Sequence, residues 1–328
     1  VFLEKLGIDL YPHPYLAFSL PPGHRSTTIN TDDEGFRLSA SPFGTVDSTD
    51  WVSAGGGGLV LGSSVAFGLG ASSDSATLAS RLAFLTHRRW LNLGVLAGNS
   101  LQELIAAVPF LQKASTVVIF SGLSNYLSML RSRTPSNVFG PIFYEGTFAK
   151  LTQIPLFDLA DLASGEVRAD VEDGRLPRQI PAEPDLTDVL DRVETAARMQ
   201  LRDLAFLART ANDRTQILFC LQPLATPRTR AILPEEQEHY DFQEPLHGLP
   251  YDVLEKHLDL YADRLRQGCA DLNVDYLNIS ADQFIGRSFV SNGVLTDEGN
   301  QQAAQMIYQA LEEAGRRRAR PVVTSTGR

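Results

Sequence analysis

Apolar residues change their spacing near residue 58. Before it, residues 1–56 keep no sustained period; they are rich in Pro, Gly, Ser and Asp and run into Gly55-Gly56-Gly57-Gly58. This predicts an irregular N-terminal extension with a few short strands, tethered by a flexible joint. After it, short apolar runs alternate with helical patterns. Residues 59–62, 90–94, 116–120, 216–221 and 275–279 read as strands, and 75–87, 101–111, 185–211, 252–273 and 296–314 as helices. In 75–87, for example, Leu78, Leu82 and Leu85 fall at helical spacing. Strands nearly continuous in apolar character and separated by helices imply a parallel sheet covered on both faces, a three-layer α/β/α domain over 57–315. The expected sheet has five strands in the flavodoxin-like order 2-1-3-4-5, with its functional loops at the strands' carboxyl ends.

Two segments break the alternation. Residues 133–184 hold six prolines, and 223–250 hold Pro223, Pro227, Pro234, Pro245 and Pro250. Both leave the carboxyl end of a predicted strand, which predicts lids folded over that edge.

Composition narrows the partners. The chain has 328 residues, 43% hydrophobic and 21% charged, enough for one sizeable core. A formal net charge of −10 argues against nucleic acid or an anionic membrane. Arg316, Arg317, Arg318 and Arg320 stand against that sign, but in a terminal stretch, 316–328, that reads as a solvated tail. Cys220, inside an apolar run, reads as a core residue, and with Cys269 it makes no disulfide framework. No Cys/His spacing suggests a metal, and no motif suggests a cofactor. Gly68-Leu69-Gly70 lacks the third glycine of a dinucleotide fingerprint, and no Gly-Lys-Ser/Thr ends the loop. No stretch approaches the roughly 18 apolar residues of a membrane span. A cytoplasmic location is the default expectation, although a segment before Val1 could have been removed. Oligomeric state is left open.

Three polar turns each follow a predicted strand: Gly62-Ser63-Ser64-Val65-Ala66-Phe67-Gly68, Asn92-Leu93-Gly94-Val95-Leu96-Ala97-Gly98-Asn99-Ser100, and Phe120-Ser121-Gly122-Leu123-Ser124-Asn125. A serine on a tight strand-to-helix turn exposes its hydroxyl, and backbone N–H groups beside it can hold an oxyanion. The plainer reading is a glycine-rich turn whose serine caps the next helix.

Taken in order, these turns resemble the blocks of the bacterial SGNH/GDSL hydrolases over roughly residues 57–315. The resemblance puts Ser64 at the nucleophile position and makes Ser64, Ala97, Gly98, Ser124 and Asn125 the oxyanion-hole candidates. Gln222-Pro223 resembles a common strand exit of these proteins, and Leu295-Thr296-Asp297-Glu298-Gly299-Asn300 the segment after their histidine. Pro12-His13-Pro14-Tyr15 and Gly35-Phe36-Arg37 resemble their N-terminal lead-in. The family's last block, Asp-x-x-His, here reads Ser291-Asn292-Gly293-Val294, so Ser291 and Val294 mark a degenerate triad. Valine takes no proton, and Ser64 lacks the standard base. His239 and His247, both on the 223–250 loop, are the candidate replacements.

The resemblance implies a serine esterase or O-acyltransferase acting on a small-molecule or glycan acyl ester. The alternative is an inactive SGNH fold that binds a glycan, an acyl ligand or a protein. Phe67, Tyr126, Phe139, Phe143 and Tyr144 are read either as an acyl pocket or as core.

Overall fold

The computed structural model describes residues 11–13, 15–131, 187–227, 229–234, 236 and 251–319. Two hairpins open it, β1 (Tyr11–His13) with β2 (Ala17–Ser19) and β3 (Ser39–Ser41) with β4 (Gly44–Val46), followed by α1 (Ser48–Ser53). Next come β5 (Gly57–Gly62), α2 (Ser64–Phe67), α3 (Leu78–Thr86), β6 (Trp90–Gly94), α4 (Ser100–Ala107), β7 (Ala114–Ser121) and α5 (Leu123–Arg131). After the undescribed 132–186 follow α6 (Val189–Thr210), β8 (Gln216–Leu221), α7 (Tyr251–Lys256), α8 (Leu258–Asp271), β9 (Asp275–Asn278) and α9 (Asp297–Ala319).

Strands β5 to β9 form one sheet in the order β6-β5-β7-β8-β9, every pair parallel. This is the expected 2-1-3-4-5 arrangement. Alternating side chains serve the two faces. Leu59 and Leu61 join Ala106, Val193, Leu204 and Leu265 of α4, α6 and α8; Val60, Val118 and Phe120 join Leu78, Leu82, Ala303 and Ile307 of α3 and α9. Cys220 is wholly buried in the second layer, and burial pushes its thiol well above the ordinary range. That is core chemistry, not a nucleophile.

Three expectations need correction. The glycine run is not a flexible joint: Gly57 and Gly58 already belong to β5. The fully buried Trp51 indole donates to the Gly58 carbonyl at 3.0 Å, and Val46 joins the same core layer. Trp51 and Val46 of the extension therefore pack in the same core as the sheet. The helix expected over 252–273 is two, with His257 between them as N-cap of α8. The closing helix continues to Ala319, so Arg316, Arg317 and Arg318 lie in its last turns. Arg317 and Arg318 reach Asp275 at 3.4 and 2.9 Å, and cations suit a helix C-terminus.

Insertion 133–184 lies outside the described residues. Of 223–250, the first stretch runs against the 291–293 turn: Ala225 donates to the Asn292 carbonyl at 2.6 Å, and Asn292 Nδ2 to the Ala225 carbonyl at 3.0 Å. No described helix is long and apolar enough to cross a membrane.

Candidate active site

Strand register brings the three polar turns to one level. Gly62 closes β5 opposite Gly94, the last residue of β6, and opposite Phe120, one before the end of β7. The chain can turn there only because the glycines carry no side chain. Gly62 sits at φ +148, and a Cβ on it would lie 2.1 Å from the Phe120 carbonyl oxygen. One on Gly94 would lie 2.2 Å from the Phe67 nitrogen. These approaches seat the single turn of α2 on the ends of β5 and β6.

Ser63 is the N-cap of α2, without a side-chain cap bond, and Ser64 is the first helical residue. The Ser64 hydroxyl is thus not spent on capping. It accepts the Ala97 backbone N–H at 3.2 Å and makes no other hydrogen bond among the described residues. Ala97 stands at φ +52, a left-handed conformation uncommon for a residue with a Cβ. Gly98 uses its own N–H on the Val95 carbonyl at 3.2 Å, so Ala97 is the donor that faces Ser64. Ser64, Ala97 and Ser124 are each half-buried in turns whose other members are mostly buried. The Ser124 hydroxyl bonds no described group. Asn125 is turned elsewhere, both ends of its amide committed to Ser100.

At the last block, Ser291 is buried and Val294 half-buried. Val294 packs with the apolar layer of α3 and α9, and a Cβ on Gly70, six residues after Ser64, would come within 2.9 Å of its Cγ1. None of the four described histidines bonds Ser64. His13 Nδ1 accepts the Tyr15 and Leu16 amides in a turn, and His24 takes part through its backbone with Thr31. His87 ends α3 against the Phe43 ring at 5.1 Å, and His257 caps α8. His239 and His247 lie outside the described residues, as do Phe139, Phe143 and Tyr144. Phe67 and Tyr126 are core, 3% and 0% exposed.

Several residues that shape the site had no role assigned from the sequence. Arg37, from the extension, is 1% exposed. Its guanidinium donates to the Gly68 carbonyl at 2.6 Å and the Phe67 carbonyl at 3.3 Å, and pairs with Asp74 at 2.9 Å. A buried cation thereby caps the carboxyl end of the serine-bearing turn, helped by Asn92 Nδ2 on the Phe67 carbonyl. Burial lowers the Arg37 pKa, and Asp74 opposes that shift. Behind the turns, Ser121 donates to Glu103 at 2.6 Å and Ser100 to Asp203 at 2.6 Å, all four buried. Burial pushes Glu103 up to about 8, which leaves it neutral at pH 7. A signal did exist for the two acids: Glu103 recurs with Ala106, Ala107 and Phe110, and Asp203 with Ala196, Met199 and Leu207, at helical spacing on buried faces.

No family model and no curated protein matches this sequence. Among solved structures it is similar to Est24, a carbohydrate acetylesterase from Sinorhizobium meliloti (12% identity, TM-score 0.44, 79% of this chain and 99% of that one). It is similar also to an aryl esterase of M. smegmatis (13%, 0.41, 78% and 98%) and an extracellular lipase from Streptomyces rimosus (11%, 0.40, 79% and 99%). The activities belong to those proteins.

Proposed function

We propose that the chain is a serine esterase or O-acyltransferase in which Ser64 attacks an acyl ester. The observation that carries this reading is the Ser64 hydroxyl, free of its own helix and facing the Ala97 N–H. On attack the Ser64 oxygen bonds the acyl carbon, and the carbonyl oxygen takes the negative charge. The Ala97 amide, with that of Ser64 itself, would then serve the developing oxyanion. The alcohol leaves with the proton that Ser64 gives up, through a base drawn from outside the described residues; His239 and His247 are the candidates. Water or an acceptor hydroxyl then releases the acyl group. A carbohydrate substrate is one form of this reading.

One observation favours a second reading, an inactive fold that binds the same class of ligand. Val294 is packed into the apolar layer at the place where the resemblance expects an imidazole. Turnover of short-chain aryl esters separates the two. The enzyme reading expects wild-type hydrolysis that Ser64→Ala lowers by roughly a thousandfold or more, and that His239→Ala or His247→Ala also lowers. Equal rates for wild type and Ser64→Ala would leave the binding reading standing.

A further inference from the structure

A buried polar relay that the chemistry at Ser64 does not touch holds the Ala97 turn from behind. Ser100, the first residue of α4, donates its hydroxyl to Asp203 Oδ2 at 2.6 Å and accepts from Asn125 Nδ2 at 2.8 Å. The other end of the same amide, Asn125 Oδ1, accepts the Ser100 backbone N–H at 3.0 Å. Arg202 holds the remaining Asp203 oxygen, with its Nη2 at 2.7 Å and its Nε at 2.9 Å. Asp203, Ser100 and Asn125 are 3%, 3% and 5% exposed. The relay joins three separate pieces of chain: the turn after β6, the turn after β7, and α6.

Such a cluster is an expensive way to fill space. A buried carboxylate is desolvated, and apolar residues of similar volume often pack as well or better. What distinguishes this one is its neighbour. Three residues before Ser100 stands Ala97, in a left-handed backbone conformation that is unfavourable for a residue with a Cβ, with its N–H directed at Ser64. The near end of that turn is fixed by the Val95 N–H on the Gly62 carbonyl at 2.8 Å. Its far end is fixed by the Asn99 cap of α4 and by Asn125 on Ser100. With both ends held, Ala97 has no slack to relax into a more ordinary conformation.

We infer that Asp203 and Asn125 are positioning residues, which through Ser100 hold the Ala97 N–H at the Ser64 hydroxyl. The catalytic consequence rests on the proposed reading of Ser64; the geometric one does not. The test is amide hydrogen exchange at Ala97, by NMR on the full chain labelled with ¹⁵N-alanine. Ser100→Ala and Asp203→Ala should speed Ala97 exchange by about tenfold or more, with α3 and α9 amides unchanged. Asp203→Asn keeps an acceptor for the Ser100 hydroxyl and should restore near-wild-type exchange. Should Ser100→Ala fail to fold, Asn125→Ala is read the same way. In aryl-ester turnover the same alanine variants should lose kcat about tenfold with KM little changed, the mark of a misplaced transition-state donor. Wild-type Ala97 exchange in the folded alanine variants would overturn the relay. Exchange that responds as described, in a protein with no Ser64-dependent turnover, would support the relay and count against the enzyme reading instead.

Discussion

At Ser291 and Val294 the resemblance to a triad block can be tested by a pair of substitutions. The Ser291–Val294 spacing is that of the aspartate and histidine in the SGNH/GDSL block it resembles, and a Cβ on Gly70, on the loop that leaves α2, would lie 2.9 Å from Val294 Cγ1. If this is the vacated base position, Ser291→Asp with Val294→His restores a base to Ser64. General-base assistance contributes on the order of a hundredfold or more, so ester turnover should rise by about that factor. The gain should vanish when Ser64→Ala is added. A folded double variant no faster than wild type would mean that the 291–294 turn does not address Ser64. The resemblance made these positions legible. Arg37 was legible only as part of a lead-in motif, because the carbonyls it caps lie about thirty residues away in the chain.

Among the elements, what could be read from the sequence was what depends on local spacing. The strand runs at 90–94 and 216–221 were legible to the residue, because parallel strands covered on both faces are mostly apolar, here interrupted only by Asn92 and opened by Gln216. The break at His257 was not, since both halves of 252–273 keep helical spacing. Nor was the Glu103 environment, made by α4 closing on the end of β7. That environment has a pH signature. Glu103 is raised from an ordinary value near 4.5 to about 8. Between those values the native state keeps a proton that the unfolded chain has lost, so stability falls as pH rises through that window. The loss is absent below the lower value and complete above the upper one, at most roughly 4–5 kcal/mol. Glu103→Gln keeps an acceptor for Ser121 and cannot titrate. Its melting temperature should therefore fall less than that of wild type between about pH 5 and about pH 9. Parallel curves would show that Glu103 does not carry a raised pKa.

At the scale of the molecule, the described part of the extension packs on the sheet and reaches the serine-bearing turn rather than trailing from it. Composition hid this, because a segment rich in Pro, Gly and Ser with no period looks like a tether. Its contribution rests on single large residues, Trp51 and Arg37, both 1% exposed or less. Trp51→Ala should cost roughly 3–5 kcal/mol of stability in a denaturant titration; a loss under about 1 kcal/mol would mark the extension as dispensable. With the fold held in this way, the proposed chemistry turns on one oxygen, the Ser64 hydroxyl faced by the Ala97 amide. The most direct measurement is the intact mass of the full-length protein after exposure to a fluorophosphonate. Wild type should gain a single phosphonyl group on Ser64, and Ser64→Ala none. A folded wild type that stays unlabelled at large reagent excess would contradict the proposed chemistry.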